Sequence, residues 1–318
     1  FQFISPSISF IISNSIMNCT KKGKNYIMTI AVIGPGAVGT TIAAELKAVL
    51  PDTQLIGRHN KTMTYFPENT SKAQNVDVVS YDNTHHSFDV IIITVKTHQL
   101  HNVIKQLPTI AHKDSLIILA QNGYGQSQHI PYQHVYQAVV YISGQKRNDK
   151  ITHFRDYRLH LQDTPNIRKL KQQLSSSKIE LILESDIQNK LWYKLLVNLG
   201  INSITAIGHQ PAKILKSAHM KEICRSILND GLQVAQSEGI HFPDQTLDDI
   251  MKIYQGYPDE MGTSMYYDVL NQQPLEVEAI QGYIYQKARF HKLNTPYLDT
   301  VYTFLKAYHL KFTETKDL

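Results

Sequence analysis

Cysteine is nearly missing from this chain, with 2 in 318 residues, Cys19 and Cys224. That rules out a disulfide framework and fits a reducing, cytoplasmic setting. Long apolar runs are also lacking. No stretch after the N-terminal segment approaches the roughly 20 apolar residues of a spanning helix, so no membrane association is expected. Charge of one sign is equally scarce: 32 Lys and Arg against 27 Asp and Glu leave a net charge of +5, spread along the chain. Such a balance gives no basis for nucleic-acid binding and is compatible with a small anionic substrate. There is no repeat or low-complexity tract, and no metal is expected. A content of 42% hydrophobic and 19% charged residues is that of an ordinary globular protein, and the length allows two domains with separate cores.

The first 27 residues stand apart. "FQFISPSISFIISNSI" is apolar in patches, but no basic segment precedes it, no small-x-small cleavage site follows, and Lys21, Lys22 and Lys24 come after it. The expectation is a non-native or disordered extension over residues 1–27, with the fold beginning near Met28.

From Thr29 the chain reads strand, turn, helix: "TIAVIG" is a buried run, "GPGAVG" a glycine-rich turn, and "AVGTTIAAELKAVL" has helical periodicity. Further apolar runs, "TQLIG", "DVIIITV", "SLIILA" and "QAVVYIS", alternate with helical segments and indicate a mostly parallel sheet covered on both faces. "RLHLQ" and "IELILES" read as peripheral strands of the same domain. From about Asp186 strand signals fade, and amphipathic segments near 212–239, 244–256, 274–292 and 296–309 follow, separated by Gly and Pro. The expected fold is therefore α/β, with a Rossmann-type dinucleotide-binding domain over 28–185 and an all-helical domain over 186–318.

Gly34, Gly36 and Gly39 satisfy G-x-G-x-x-G directly after a strand and at a helix start, so Gly34, Pro35, Gly36, Ala37, Val38 and Gly39 are expected to hold a dinucleotide pyrophosphate. After the second strand, where an NAD site carries an acidic residue, the chain has Arg58 and His59. Arg58 can fork onto a 2′-phosphate, which favours NADPH/NADP as cofactor; one residue leaves NADH use open.

The stretch "WYKLLVNLGIN" (192–202) puts Lys194, Asn198 and Asn202 four apart in an apolar run, one polar stripe along a helix. Unpartnered polar groups in a dry core cost several kcal/mol, so the stripe needs a protein partner, water or a ligand.

With "GPGAVG", "VKTHQ", "QNGYG", "KLWYKLLVNLGINSITA" and "TSMYYD…LEVEAIQGYI" in this order, the chain resembles the ketopantoate reductase (2-dehydropantoate 2-reductase) family from Met28 to about His309. The resemblance implies a Rossmann domain joined to a helical domain of the 6-phosphogluconate dehydrogenase type, with the active site in the cleft between them. It implies reduction of a 2-keto acid, with Lys194 as proton donor at the carbonyl oxygen, where negative charge develops. Glu276 then acts near the catalytic lysine, on substrate or cofactor. Asn198 and Asn202 orient the substrate, Ser264 binds its carboxylate, Lys96 contacts the cofactor, and Asn122 contacts both. Glu278, two positions from Glu276, reads as the more peripheral carboxylate. Ala212 and Met261 stand where the family can carry Asn, which puts the detailed substrate contacts in question. The competing expectations are a related oxidoreductase acting on another 2-keto or hydroxy acid, and a nonenzymatic NADP-binding sensor. Apolar faces on several helices are compatible with a homodimer.

Overall fold

A computed structural model describes residues 27–313. Cys19, all but one residue of the expected extension 1–27, and residues 314–318 lie outside the described range.

At the centre is β1 (Ile30–Ile33), buried at all four positions and paired in parallel with β2 (Gln54–Gly57) and β5 (Phe88–Ile93). Parallel pairing continues outward through β6 (Ala111–Leu119) to β7 (His134–Gln137). Both faces are covered, which is why the strands lack polar alternation. Ile30 and Val32 pack with Ile42 and Leu46 of helix α1 (Ala37–Lys47), while Ala31 and Ile33 pack with Leu100, Val103 and Leu107 of α2 (Leu100–Ile110). Each such large side chain contributes roughly 1.5–3 kcal/mol by leaving water. The chain leaves β1 on one side for β2 and returns on the other as β5, so the strand order reverses at β1. Ligands of open parallel sheets bind in the crevice at that reversal.

Beyond β2 the sheet runs through β4 (Gln74–Ser80), β3 (Lys61–Phe66), β9 (Lys150–Gln162) and β10 (Glu180–Glu184), with β8 (Val139–Arg147) antiparallel on β9. The sequence patterns did not reveal β3 or β4, an antiparallel pair whose polar positions dilute the apolar signal. In "KTMTYF" only Met63 and Tyr65 are buried. "RLHLQ" proves to be the end of a 13-residue strand. α3 (Pro165–Gln173) joins it to edge strand β10. Alternation on β8 has two destinations. Val139 and Tyr141 pack toward Ile187 and Leu191, whereas Val140 and Ile142 pack into the core beneath α1.

After Glu184 the described residues contain helices and turns only: α4 (Ile187–Ile207), α5 (Ala218–Ser237), α6 (Thr246–Gln255), α7 (Ser264–Leu270), α8 (Gln281–Phe290) and α9 (Pro296–Thr313). α4 starts where the Asp186 carboxylate accepts the Asn189 N–H at 3.1 Å, and it is buried on most sides. The expected amphipathic run 274–292 is not one helix. It is interrupted by a 3-10 turn, Val277–Ala279, and only Gln281–Phe290 is α-helical. α7 was not legible, being only 7 residues long. Cys224 is buried in this core, and burial pushes its thiol up to about 12, away from nucleophilic use.

The buried Asp230 carboxylate accepts the N–H groups of Tyr297 at 2.9 Å and Leu298 at 3.0 Å, capping α9 from a different helix. Asp230→Ala is expected to destabilise the protein by about 2 kcal/mol, read by urea denaturation, because two helix-end donors lose their acceptor. An unchanged midpoint would refute the cap.

Candidate active site

The glycine-rich turn is built for close approach. Gly34 has φ +110, and its N–H donates to Ile56 O at 2.9 Å, fastening the turn to β2. Thr94 Oγ1 donates to Ile33 O at 2.8 Å and Gly34 O at 3.0 Å. A Cβ on Gly39 would lie 2.1 Å from Gly34 O, so α1 can start only this close to β1 with glycine there. Above Gly36 a Cβ would meet nothing within 4 Å, and Gly36 caps α1 without a side-chain hydrogen bond. Open space over uncapped helix-end amides fits a dinucleotide pyrophosphate. Gly39→Ala is expected to weaken dinucleotide binding at least about tenfold and to cost about 1–3 kcal/mol of stability. Fluorescence titration and thermal melting would measure both, and wild-type values would contradict the close packing. Arg58 is exposed immediately after β2, next to Gly57, which borders Pro35.

A narrow, partly enclosed cleft lies where the two halves meet. It is lined by Gln121, Asn122 and Gly123 after β6, by Ala138, Val139 and Val140, and by Leu191, Lys194, Leu195 and Asn198 of α4. Two members of the polar stripe thus face the cleft. Asn202, 4% exposed, lies deeper and is not among the lining residues.

The half-buried Lys194 has no ion-pair partner among the described residues; its ammonium sits 4.9 Å from the centre of the Tyr141 ring. Burial lowers its pKa, the positive charge of Arg155 adds to the shift, and Asp156 opposes it. Tyr141 is held in turn against His160, ring centres 5.0 Å apart, and His160 Nδ1 lies 2.6 Å from Glu184 Oε1. The π face favours the cationic head, and burial still leaves this lysine readier to lose its proton than a free one.

A second polar group lies at the strand ends. Lys96 follows β5 and donates to Asp268 of α7 at 2.9 Å, with Glu276 at 3.6 Å. Glu276, 5% exposed, also accepts the Thr97 N–H at 3.1 Å and Asn122 Nδ2 at 3.5 Å. Burial disfavours the Lys96 charge, but the two carboxylates outweigh it and raise its pKa. Burial raises the pKa of Asp268, against the pull of Lys96. This cluster ties the sheet to the helical half. Glu276 therefore meets Lys96 here, and no ion pair joins it to Lys194 among the described residues.

Gln121 Nε2 donates to Val95 O at 2.6 Å, bracing the loop after β6 against the one after β5. Gly123 has φ +87, and a Cβ there would lie 2.4 Å from Ala279 O, which accepts the Tyr124 N–H at 2.9 Å. The "QNGYG" segment is thus the seam between the halves. Ser264 is exposed at the first position of α7; the cap is Thr263, whose Oγ1 accepts the Tyr266 N–H at 3.1 Å. Ala212 and Met261, remote in sequence, are neighbours: the Ala212 N–H donates to Met261 O at 2.9 Å. Glu278 faces α9, where it meets Lys306 and Tyr302. Sequence reasoning passed over Asp268 and Tyr141. Asp268 stood inside a quoted motif, but only the fold brings it to Lys96, 172 residues away.

Residues 30–166 match the family model described as Ketopantoate reductase PanE/ApbA, and residues 186–309 match its C-terminal counterpart. The chain belongs to the ketopantoate reductase family. It is 59% identical to a dimeric ketopantoate reductase from Staphylococcus aureus, with a TM-score of 0.88 over 89% of this chain and 99% of that one. A 2-dehydropantoate 2-reductase from Mycobacterium tuberculosis is 26% identical over 291 residues, 87% of this chain and 97% of its own length. A D-mandelate dehydrogenase in ternary complex with NADH and anilino(oxo)acetate shares the fold, at 20% identity and a TM-score of 0.79 over 89% of this chain and 98% of that one. As a member of the ketopantoate reductase family the chain is an oxidoreductase, with the Rossmann-type sheet domain and helical domain of that family. No helix among the described residues is long and apolar enough to cross a membrane.

Proposed function

We propose that the protein reduces 2-dehydropantoate to (R)-pantoate with NADPH, a step toward pantothenate and coenzyme A, and that Lys194 is the proton donor. The observation that carries this is the position of Lys194. It lies in the cleft between the halves, beside Asn198 and across from Asn122, at the strand ends where the glycine-rich turn also opens. When bound, NADPH supplies the hydride that adds to the keto carbon. Lys194 stabilises the oxygen as charge grows on it and transfers a proton to it. Asn198 and Asn122 orient the substrate from two sides of the cleft. Asn202 contributes from one turn deeper, and Ser264, exposed at the start of α7, takes the carboxylate. Glu276 orients Asn122 and Lys96, and Arg58 takes the 2′-phosphate.

The division into 28–185 for cofactor and 186–318 for substrate and assembly belongs to this reading. So does a homodimer, supported by the dimeric S. aureus relative. Ala212 and Met261, standing where the family can carry Asn and adjacent in the fold, favour a second reading, a related oxidoreductase acting on another 2-keto or hydroxy acid. The test is NADPH oxidation with 2-dehydropantoate beside pyruvate and 2-oxoisovalerate. Rapid turnover of 2-dehydropantoate alone supports the first reading, and a preference for another keto acid the second. Tight NADPH binding with no turnover on a broad panel would sink both in favour of a sensor.

A further inference from the structure

Strand β8 brings to the glycine-rich turn a cation that the first strand–turn–helix unit does not contain. Lys146 Nζ donates to the Pro35 carbonyl oxygen at 3.0 Å, from 111 residues further along the chain. Two positions earlier on the same face of β8, Gly144 makes the approach possible. A Cβ there would lie 2.9 Å from Thr152 O and 3.7 Å from Ala37 Cβ, so the strand already rests on the start of α1. Pro35 is bordered as well by Gly57, whose Cβ would sit 3.3 Å from Pro35 Cγ, and Arg58 is the next residue.

Lys61, the first residue of β3, completes the group. It pairs at 2.7 Å with Asp149, which lies in the turn joining β8 to β9. Partial desolvation at the ammonium, and then the charges of Lys61 and Arg58, lower the affinity of Lys146 for its proton although the residue as a whole is exposed, and Asp149 opposes them. Arg58 and Lys61 thus lie close enough to Lys146 to repel its charge beside Pro35, and among the described residues Asp149 is the carboxylate set against them. Three cations held together against their repulsion make a site for a dianion.

We infer that Lys146 binds the 2′-phosphate of the dinucleotide together with Arg58, the Pro35 carbonyl being the partner it leaves on binding. This rests on the NADPH reading above. An ammonium offers a charge-assisted hydrogen bond to a phosphate oxygen, whereas the ribose of NADH presents only a hydroxyl at that point. Lys61 is the weaker contributor, because Asp149 already engages it.

The experiment measures dissociation constants of NADPH, NADH and 2′,5′-ADP for the wild type, Lys146→Gln and Arg58→Gln, by fluorescence and calorimetry. Lys146 is exposed, so its replacement leaves the fold intact. Lys146→Gln is expected to weaken NADPH and 2′,5′-ADP about tenfold or more, as loss of a charge-assisted contact should, and to leave NADH within about twofold. The dependence of NADPH affinity on salt should become shallower in the same variant. Equal losses for NADPH and NADH would assign Lys146 to the pyrophosphate and overturn the inference, and unchanged NADPH binding would do the same. A wild type that holds NADH as tightly as NADPH and ignores 2′,5′-ADP would remove the NADPH reading and this inference together. A wild type that prefers NADPH, with only Arg58→Gln impaired, removes the inference alone.

Discussion

Lys194→Ala is expected to lower kcat for keto-acid reduction by roughly 10²–10⁴-fold, the usual worth of a positioned acid, while the dissociation constant for NADPH stays within about threefold. Cofactor binding should survive because Lys194 belongs to α4 of the helical half, whereas the glycine-rich turn belongs to the sheet half. The pH profile gives an independent check. Donation needs the protonated lysine, and burial together with Arg155 lowers its pKa against the opposing charge of Asp156. The protonated form is therefore lost at lower pH than for a free lysine, so the alkaline limb of the kcat profile should fall below pH 10.5, the unperturbed value. The groups facing Lys194 that set this limb are Tyr141 on β8, and Arg155 and Asp156 on β9. Tyr141→Leu removes the π face that favours the ammonium and should move the limb further down, whereas Tyr141→Phe should leave it in place. A profile with no alkaline limb would assign the proton to another group.

Glu276→Ala is expected to be the second largest loss, with kcat/KM lower by about 10²-fold or more. One deletion takes the acceptor from Thr97 N–H, a partner from Asn122 and a counter-charge from Lys96. Glu276→Gln separates the causes. Its Oε1 can still accept the Thr97 N–H, so stability should stay within about 1 kcal/mol of wild type while the charge is lost. Lys96 keeps Asp268 at 2.9 Å in either variant and is not left unpaired. A glutamine variant of full activity would reduce Glu276 to a hydrogen-bonding brace. If both variants lost stability and activity in equal measure, the role would be structural only.

How much of this was legible beforehand follows from how far apart the partners lie in the chain. The turn at Gly34–Gly39 and the stripe Lys194, Asn198, Asn202 are local, fixed by backbone sterics and by helical period. The positions of Lys96 and Asn122 at strand ends followed from the apolar runs before them. Strands β3 and β4 escaped because an antiparallel pair with exposed polar positions shows only two buried apolar residues each. Asp268 and Tyr141 escaped for a different reason. An aspartate on a short helix and a tyrosine on a strand have no local signal of function, and each gains one only when tertiary packing sets it against a lysine from another element. The 3-10 turn at Val277–Ala279 was hidden by the helical patterning of the segment that follows it, and it comes directly after Glu276, which reaches Lys96.

Strand β8 has a consequence for how the sequence can change. Its odd positions, Val139 and Tyr141, look toward α4 and Lys194, and its even positions, Gly144 and Lys146, look toward α1 and the glycine-rich turn. Five residues of extended chain, about 17 Å, separate Tyr141 from Lys146. Point substitutions on either face leave the other alone. One residue inserted or deleted ahead of Tyr141 would exchange the faces, pointing Lys146 at α4 and the aromatic ring at α1. Along this strand, the surroundings of Lys194 and those of the glycine-rich turn are free to drift by replacement but locked together in length.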